Sequence, residues 1–135
     1  MAGFRGWSKR NQTPESAFRS MCLKWLKLRF SGRIWHMRTI GGLGQRAGIP
    51  DDLFCVRTRR NGEDVGVFLA IEWKAPGVTR LGPRQKQELE AIRAAGGIAG
   101  MVNSLEALEE LVSGIEPTQL SMRDGKQKPR RSGVE

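Results

Sequence analysis

Tyrosine is absent from this 135-residue chain, and there is a single histidine, His36. The lack of tyrosine excludes tyrosine recombinase and topoisomerase chemistry and the nucleases that depend on paired tyrosines. One histidine makes two-histidine nuclease sites and Ser-His-Asp hydrolysis hard to build. We expect His36, between Trp35 and Met37, to be structural or a phosphate contact. Carboxylate and lysine chemistry remains open.

Cysteine and long apolar runs are also scarce. Cys22 and Cys55 stand in apolar patterns without CxxC or Cys/His spacing, which predicts two buried thiols in a reducing compartment and no zinc site. The N-terminal residues lack the apolar core of a signal peptide, and no stretch is long enough to span a membrane. We therefore expect a soluble, cytoplasmic protein.

Acidic residues are nearly missing from the first third of the chain. Residues 1–46 hold ten Lys or Arg and one acid, Glu15, whereas residues 47–116 hold eleven acids and eight bases. Residues 117–135 return to a basic excess, and the formal net charge is +9. The charge favours a polyanionic partner such as nucleic acid, although solvated basic ends would give the same totals.

The apolar periodicity predicts one α/β domain, a mixed β-sheet flanked by helices. Thr13 and Pro14 are typical of a helix start, and Asn61-Gly62 between two alternating runs predicts a hairpin. We expect a basic N-terminal arm over residues 1–12, a domain over 13–113 and a basic, disordered tail over 114–135. The predicted elements are a helix over 14–29, a strand over 33–38, a loop over 39–48, strands over 52–58 and 65–75, a helix over 83–95, a strand over 98–102 and a helix over 104–112.

Three short segments carry the functional pattern. Strand parity places Glu72 and Lys74 on one face of the sheet and Trp73 on the other. An acid is costly to bury on so apolar a strand unless it binds a cation, whereas an exposed Glu72–Lys74 ion pair is the simpler alternative. Asp51 at a strand start and Gln85 on the inner side of a helix complete the set. Together these residues predict a metal-dependent nuclease.

Glu15 belongs to the same pattern with less support. It shares a helix face with Phe18 and Cys22, so we expect it to point toward the protein. An acid in the first turn of a helix is also favoured by the helix dipole alone. Gln85 has a comparable alternative as a helix-start residue bonded to backbone.

The motifs resemble those of the virus-type replication-repair nuclease (VRR-NUC) domains of the PD-(D/E)XK superfamily. The likeness covers about residues 13–112 and implies a PD-(D/E)XK restriction-endonuclease-like core. A long basic hairpin and the bulky Trp73 depart from the usual pattern, but neither removes a catalytic group. The similar segments are Glu15, Gly48-Ile49-Pro50-Asp51, Ile71-Glu72-Trp73-Lys74-Ala75-Pro76-Gly77, Leu81-Gly82-Pro83-Arg84-Gln85 and Ala94-Ala95-Gly96-Gly97.

The resemblance implies a role for each site residue. Asp51, Glu72 and the backbone carbonyl of Trp73 would bind Mg²⁺ or Mn²⁺, and Glu15 would complete the site directly or through water. Lys74 would position or help deprotonate the attacking water, and Gln85 would orient a carboxylate or the lysine. Candidate DNA contacts, which could equally be solvated, are Arg33, Arg38, Arg46, Arg57, Arg59, Arg60 and Arg84.

Stand-alone members of this family are similar to Holliday-junction resolvases and tend to be homodimers. We therefore expect a dimeric, structure-specific DNA endonuclease of replication, repair or recombination, in which two sites cut a branched substrate. A flap or restriction-type endonuclease with the same site is an alternative. A basic nucleic-acid-binding module without catalysis is another.

Overall fold

A computed structural model describes residues 12–41 and 44–118. This part of the chain forms three helices and four strands, close to the order expected from the sequence. The elements are α1 (Pro14–Arg29), β1 (Ile34–Arg38), β2 (Asp52–Arg60), β3 (Glu63–Trp73), α2 (Pro83–Ala94), β4 (Ile98–Val102) and α3 (Leu105–Leu111).

The four strands form one mixed sheet in the order β1-β2-β3-β4. The pairs β1–β2 and β2–β3 are antiparallel. The pair β3–β4 is parallel, because α2 returns the chain to the end of the sheet at which β3 begins. The predicted α/β class and mixed sheet with flanking helices are confirmed. The β2–β3 strands each run two residues further into the hairpin than predicted. Asn61 and Gly62 both adopt positive φ, so a two-residue turn leaves Arg60 and Glu63 still paired.

Each face of the sheet is covered by different helices. One face, with Leu69, Ile71 and Trp73, packs against buried residues of α1 and α3 and forms the main core. On the other face, Ala70 and Ala99 pack against Leu89 of α2. Trp73 is 1% exposed and therefore packs in the core, as its strand parity predicted.

The two cysteines differ in environment. Cys22 is fully buried in the main core, and burial raises the pKa of its thiol to about 11. The prediction that Cys55 is also buried is wrong, because its position in β2 alternates with the buried Phe54 and Val56 and so faces outward. Both thiols are free.

Packing extends past the boundary predicted at residue 113. Ile115 is fully buried in the main core, and the Thr118 N–H donates to the Arg29 carbonyl at 2.7 Å. Arg33 donates to Thr118 Oγ1 at 3.0 Å and to the carbonyls of Arg57 and Glu116, so it fixes this segment against the sheet. The proposed arm up to residue 11 and the tail from residue 119 lie outside the described residues. No helix in the described part is long and apolar enough to cross a membrane.

A buried carboxylate, Asp52, ties three elements together. Its side chain is completely inaccessible and accepts hydrogen bonds from Arg19 of α1 at 2.7 and 2.8 Å. The Trp73 indole N–H donates to it at 2.6 Å, and His36 Nε2 is bonded to its other oxygen. Burial alone would raise the pKa of the Asp52 carboxyl, but the bonds from Arg19, His36 and Trp73 outweigh burial and lower it.

Replacing Asp52 with asparagine removes the charge that Arg19 neutralises and leaves a largely buried guanidinium without its partner. We expect Asp52→Asn to lower the free energy of unfolding by about 3–5 kcal/mol, measured by urea denaturation. Asp64→Asn is the matched control, because the Arg59–Asp64 pair is 70% and 54% exposed. It should cost below about 1 kcal/mol. Equal losses in the two variants would show that the buried network is not what stabilises the fold.

Candidate active site

Two adjacent acids, Asp51 and Asp52, lie on opposite faces of the sheet. Asp52 begins β2 and points into the main core, as its register opposite Ile71 requires. Asp51 directly precedes the strand, and its Oδ2 accepts a hydrogen bond from the Trp73 backbone N–H at 2.9 Å. Asp51 thus caps the end of the β2–β3 ladder on the face that carries α2.

Pro50 interrupts the backbone pairing of β2 and β3 beside Trp73. Continuing the register that pairs Asp52 with Ile71 would set Pro50 opposite Trp73. Proline has no N–H to donate, so the residue that would extend β2 here cannot satisfy the Trp73 carbonyl. The Trp73 N–H is taken instead by the Asp51 carboxylate. A Pro-Asp pair therefore ends the ladder with a carboxylate and leaves the facing carbonyl without a donor from β2.

Glu72 projects on the same face as Asp51 and is only 5% exposed. Burial, followed by the nearby charge of Asp51, raises the pKa of Glu72 to about 8, while Lys74 opposes the shift. The Lys74 ammonium lies 4.0 Å from Glu72 Oε2. Two carboxylates brought together away from water form a donor set that suits a divalent cation.

Gln85 links the carboxylate, the lysine and the start of α2. Its amide nitrogen donates to Glu72 Oε2 at 2.8 Å, and its oxygen accepts from the Gly82 N–H at 2.9 Å. Lys74 Nζ lies 3.4 Å from the same oxygen. One Gln85 side chain thus bonds the backbone at the start of α2 and also contacts Glu72 and Lys74.

Gly48 holds the Asp51 loop against α2. Its φ is +88°, and a Cβ there would lie 2.6 Å from the backbone carbon and oxygen of Arg84. Only glycine allows this conformation and this approach without displacing the helix start. The Gly-Ile-Pro-Asp segment therefore sets the distance between Asp51 and Gln85.

Glu15 stands apart from this group. Its side chain is exposed, contrary to the inward orientation that the helix periodicity predicted, although its charge contributes to the raised pKa of Glu72. Within residues 12–41 and 44–118, no group of three or more His, Cys, Asp or Glu side chains is arranged to hold a metal ion. The described chain thus supplies two clustered carboxylates, and a Glu15 contact through water remains a proposal.

The seven candidate arginines occupy different environments. Arg33 is committed to the C-terminal segment, Arg46 pairs with Glu88 at 2.8 Å, and Arg59 pairs with Asp64 at 3.5 Å. Exposed positions without such an ion pair in the described chain are Arg38, Arg57, Arg60 and Arg84.

The Asp52 network beside the site was not predicted from the sequence. The sequence pattern of β2 does indicate it, because Asp52 shares one strand face with Phe54, Val56 and Thr58, and all four are buried. An acid at the first position of such an inward series predicts a buried carboxylate that needs a donor. The donor, Arg19, is separated by 33 residues and could not be chosen from spacing alone.

No family model and no curated protein matches this sequence. A solved structure titled VRR_NUC domain matches this chain with a TM-score of 0.52 and 25% sequence identity. The match covers 76% of this chain and 97% of that structure. The fold and this likeness confirm the resemblance inferred from the sequence: the chain is similar to a VRR_NUC domain and shares its α/β fold.

Proposed function

We propose that this protein is a metal-dependent, structure-specific DNA endonuclease that hydrolyses phosphodiester bonds. The observation that carries the proposal is the convergence of Asp51, Glu72, Lys74 and Gln85 at one end of the sheet. Two nearby carboxylates, an ammonium and an amide are the groups that hydrolysis of a phosphate ester requires beside a cation.

Asp51, Glu72 and the Trp73 carbonyl would hold Mg²⁺ or Mn²⁺, with Glu15 contributing through water. These are hard oxygen donors, and the described cluster contains no cysteine or histidine that would favour a softer metal. A bound cation would act as a Lewis acid on the phosphate and make hydroxide accessible near neutral pH.

The remaining side chains have distinct tasks. Lys74 is 19% exposed and lies between Glu72 and Gln85, so its ammonium can orient the attacking water and offset negative charge on the phosphate. Gln85 holds the Glu72 carboxylate through its amide N–H and limits the positions that Lys74 can adopt. A depression of about 360 Å³ beside Asp51 is lined by Thr39, Arg46 and Gly48 among others and gives a phosphate access.

The proposed substrate is branched DNA, and the proposed assembly is a homodimer that resembles a Holliday-junction resolvase. The net charge of +9 and the exposed arginines support a polyanionic substrate. A two-fold axis would place two sites on symmetric strands of a junction, which one monomer cannot cut at once.

Metal-dependent cleavage tests the enzyme class. Glu72→Gln and Lys74→Ala should each lower the rate of DNA cleavage in Mg²⁺ or Mn²⁺ by about 10²-fold or more, because each removes a group that acts on the phosphate or the water. Labelled four-way junctions, flaps, duplex and single strands form the substrate panel. Glu63→Gln and Lys86→Ala change the same residue types at exposed positions outside the site and should retain activity.

The substrate panel separates the alternatives. Paired nicks confined to junctions, lost in EDTA, are the expected result for a dimeric resolvase. Cleavage of flaps or plain duplex would retain the nuclease and contradict the junction specificity. Salt-sensitive binding without cleavage in either metal would contradict the enzyme and favour a binding module.

Cation binding is also measurable as stabilisation. Mn²⁺ at a hundred times its dissociation constant should stabilise the folded protein by about 2.7 kcal/mol, seen as a higher melting temperature. Asp51→Asn and Glu72→Gln should abolish this response. In EDTA near pH 7, Glu72→Gln should be about as stable as the wild type, because a pKa of about 8 leaves the buried Glu72 carboxyl mostly protonated and the neutral amide replaces it. An unchanged Mn²⁺ response in both variants would place the cation elsewhere.

A further inference from the structure

An uncovered patch lies on the sheet face that carries Asp51 and Glu72. On this face α2 covers β4 and the C-terminal part of β3. The area of the face formed by β1, β2 and the middle of β3 is exposed to solvent. There Trp35, Cys55 and Phe68 are cross-strand neighbours in one row, and Met37 pairs with Leu53 in the next. Trp35 is 56% exposed, Met37 46% and Phe68 42%. Such a contiguous apolar surface is typical of an interaction site. We call it the outward patch.

Two shallow depressions shape the outward patch. One, of about 290 Å³, lies between Trp35, Cys55 and Arg57, and the other, of about 460 Å³, lies beside Phe68 and Arg60. Gly66 lines both. A Cβ at Gly66 would approach the Cys55 sulfur to 2.8 Å. A side chain at this position would therefore clash with Cys55 and separate the two depressions. Each depression thus has an aromatic ring and an arginine at its border.

The charge of the outward patch selects among occupants. No acid lies at the outward positions from the Met37 row to the Arg57 row. Arg57 is exposed on this face, and the next outward pair along the hairpin, Arg59 and Asp64, is an ion pair. Two copies of such a basic face would repel each other, whereas a polyanion is attracted. Aromatic rings beside arginines, without acids, are the features of surfaces that stack unpaired bases.

The outward patch is continuous with the proposed catalytic site. α2 covers the direct line along β3, where Ala70 is buried, but the path along β2 is open. Asp51 and Cys55 share one face and are four residues apart, about 13 Å along a strand, with the exposed Met37 beside the row between them. Trp35 and Phe68 are separated by one intervening strand, or about 10 Å. A single nucleic-acid strand leaving the carboxylates can therefore cross both rings.

We propose that the outward patch binds an unpaired strand of the DNA substrate. Bases stack on Trp35 and Phe68 in the two depressions, and Arg57 contacts the phosphates. Only unpaired bases expose their faces to such rings, so on a junction the patch selects bases that open at the branch point, next to the scissile bond. This selection rests on the proposed nuclease function, but the binding itself does not require catalysis.

Equilibrium binding in EDTA tests the patch without cleavage. Fluorescein-labelled oligothymidylate is compared with an abasic oligomer of the same length and charge. The wild type should prefer the oligomer that carries bases. Trp35→Ala should weaken binding of oligothymidylate by about tenfold or more and leave the abasic oligomer unaffected, while Trp35→Phe retains most of the affinity. Arg57→Ala should weaken both oligomers and reduce the salt dependence.

Matched controls lie on α1, on the other side of the sheet. Leu28→Ala removes an apolar side chain that is 67% exposed, and Lys24→Ala removes an exposed charge. Neither should change the preference for bases. Urea denaturation of each variant verifies that it is folded, and sedimentation records its oligomeric state.

The outcomes separate this inference from the nuclease proposal. An equal affinity of the wild type for the two oligomers, or an unchanged affinity in Trp35→Ala, overturns the patch even when cleavage still requires Glu72 and Lys74. Loss of the dimer in Trp35→Ala with base preference intact shows a contact between copies and also overturns it. Base preference that depends on Trp35, in a protein that cleaves nothing, supports the patch and rejects the nuclease.

Discussion

The hydrogen bonds of the buried Asp52 carboxylate are the constraint on which the arrangement of the site depends. It joins α1 through Arg19, β1 through His36 and β3 through the Trp73 indole, all on the core side of the sheet. Because neighbouring strand residues point to opposite faces, fixing Asp52 inward directs Asp51 outward. One buried ion therefore determines which way the Asp51 carboxylate points.

Trp73 connects the two acids. Its indole N–H donates to Asp52 at 2.6 Å, and its backbone N–H donates to Asp51 at 2.9 Å. A small apolar β-branched residue, which the resemblance leads us to expect between the acid and the lysine, would have no side-chain donor for Asp52. Trp73 is bulkier than the motif leads us to expect, and the structure gives a reason: its indole N–H supplies a hydrogen bond to the buried Asp52 carboxylate. On the other face, Glu72 and Lys74 are free to meet Gln85.

Much of the fold followed from short-range patterns in the sequence. Helix periodicity, the Asn61-Gly62 turn and strand alternation predicted the element order, and parity correctly placed Glu72 with Lys74 and Trp73 in the core. Long-range pairings were not accessible, because nothing in local spacing connects Arg19 to Asp52 or Gly48 to Arg84. Cys55 was misjudged for a related reason: an apolar run was taken as buried on both faces, whereas α2 covers only part of the outer face.

The most direct test of the proposed metal site is to locate Mn²⁺ by its anomalous scattering in crystals of the metal-loaded protein. We expect a peak within coordination distance of the Asp51 and Glu72 carboxylates and the Trp73 carbonyl. Such a peak would establish that the end of the β2–β3 ladder is a metal centre. Saturating Mn²⁺ with no density there, or bound only at other carboxylates, would contradict the central claim.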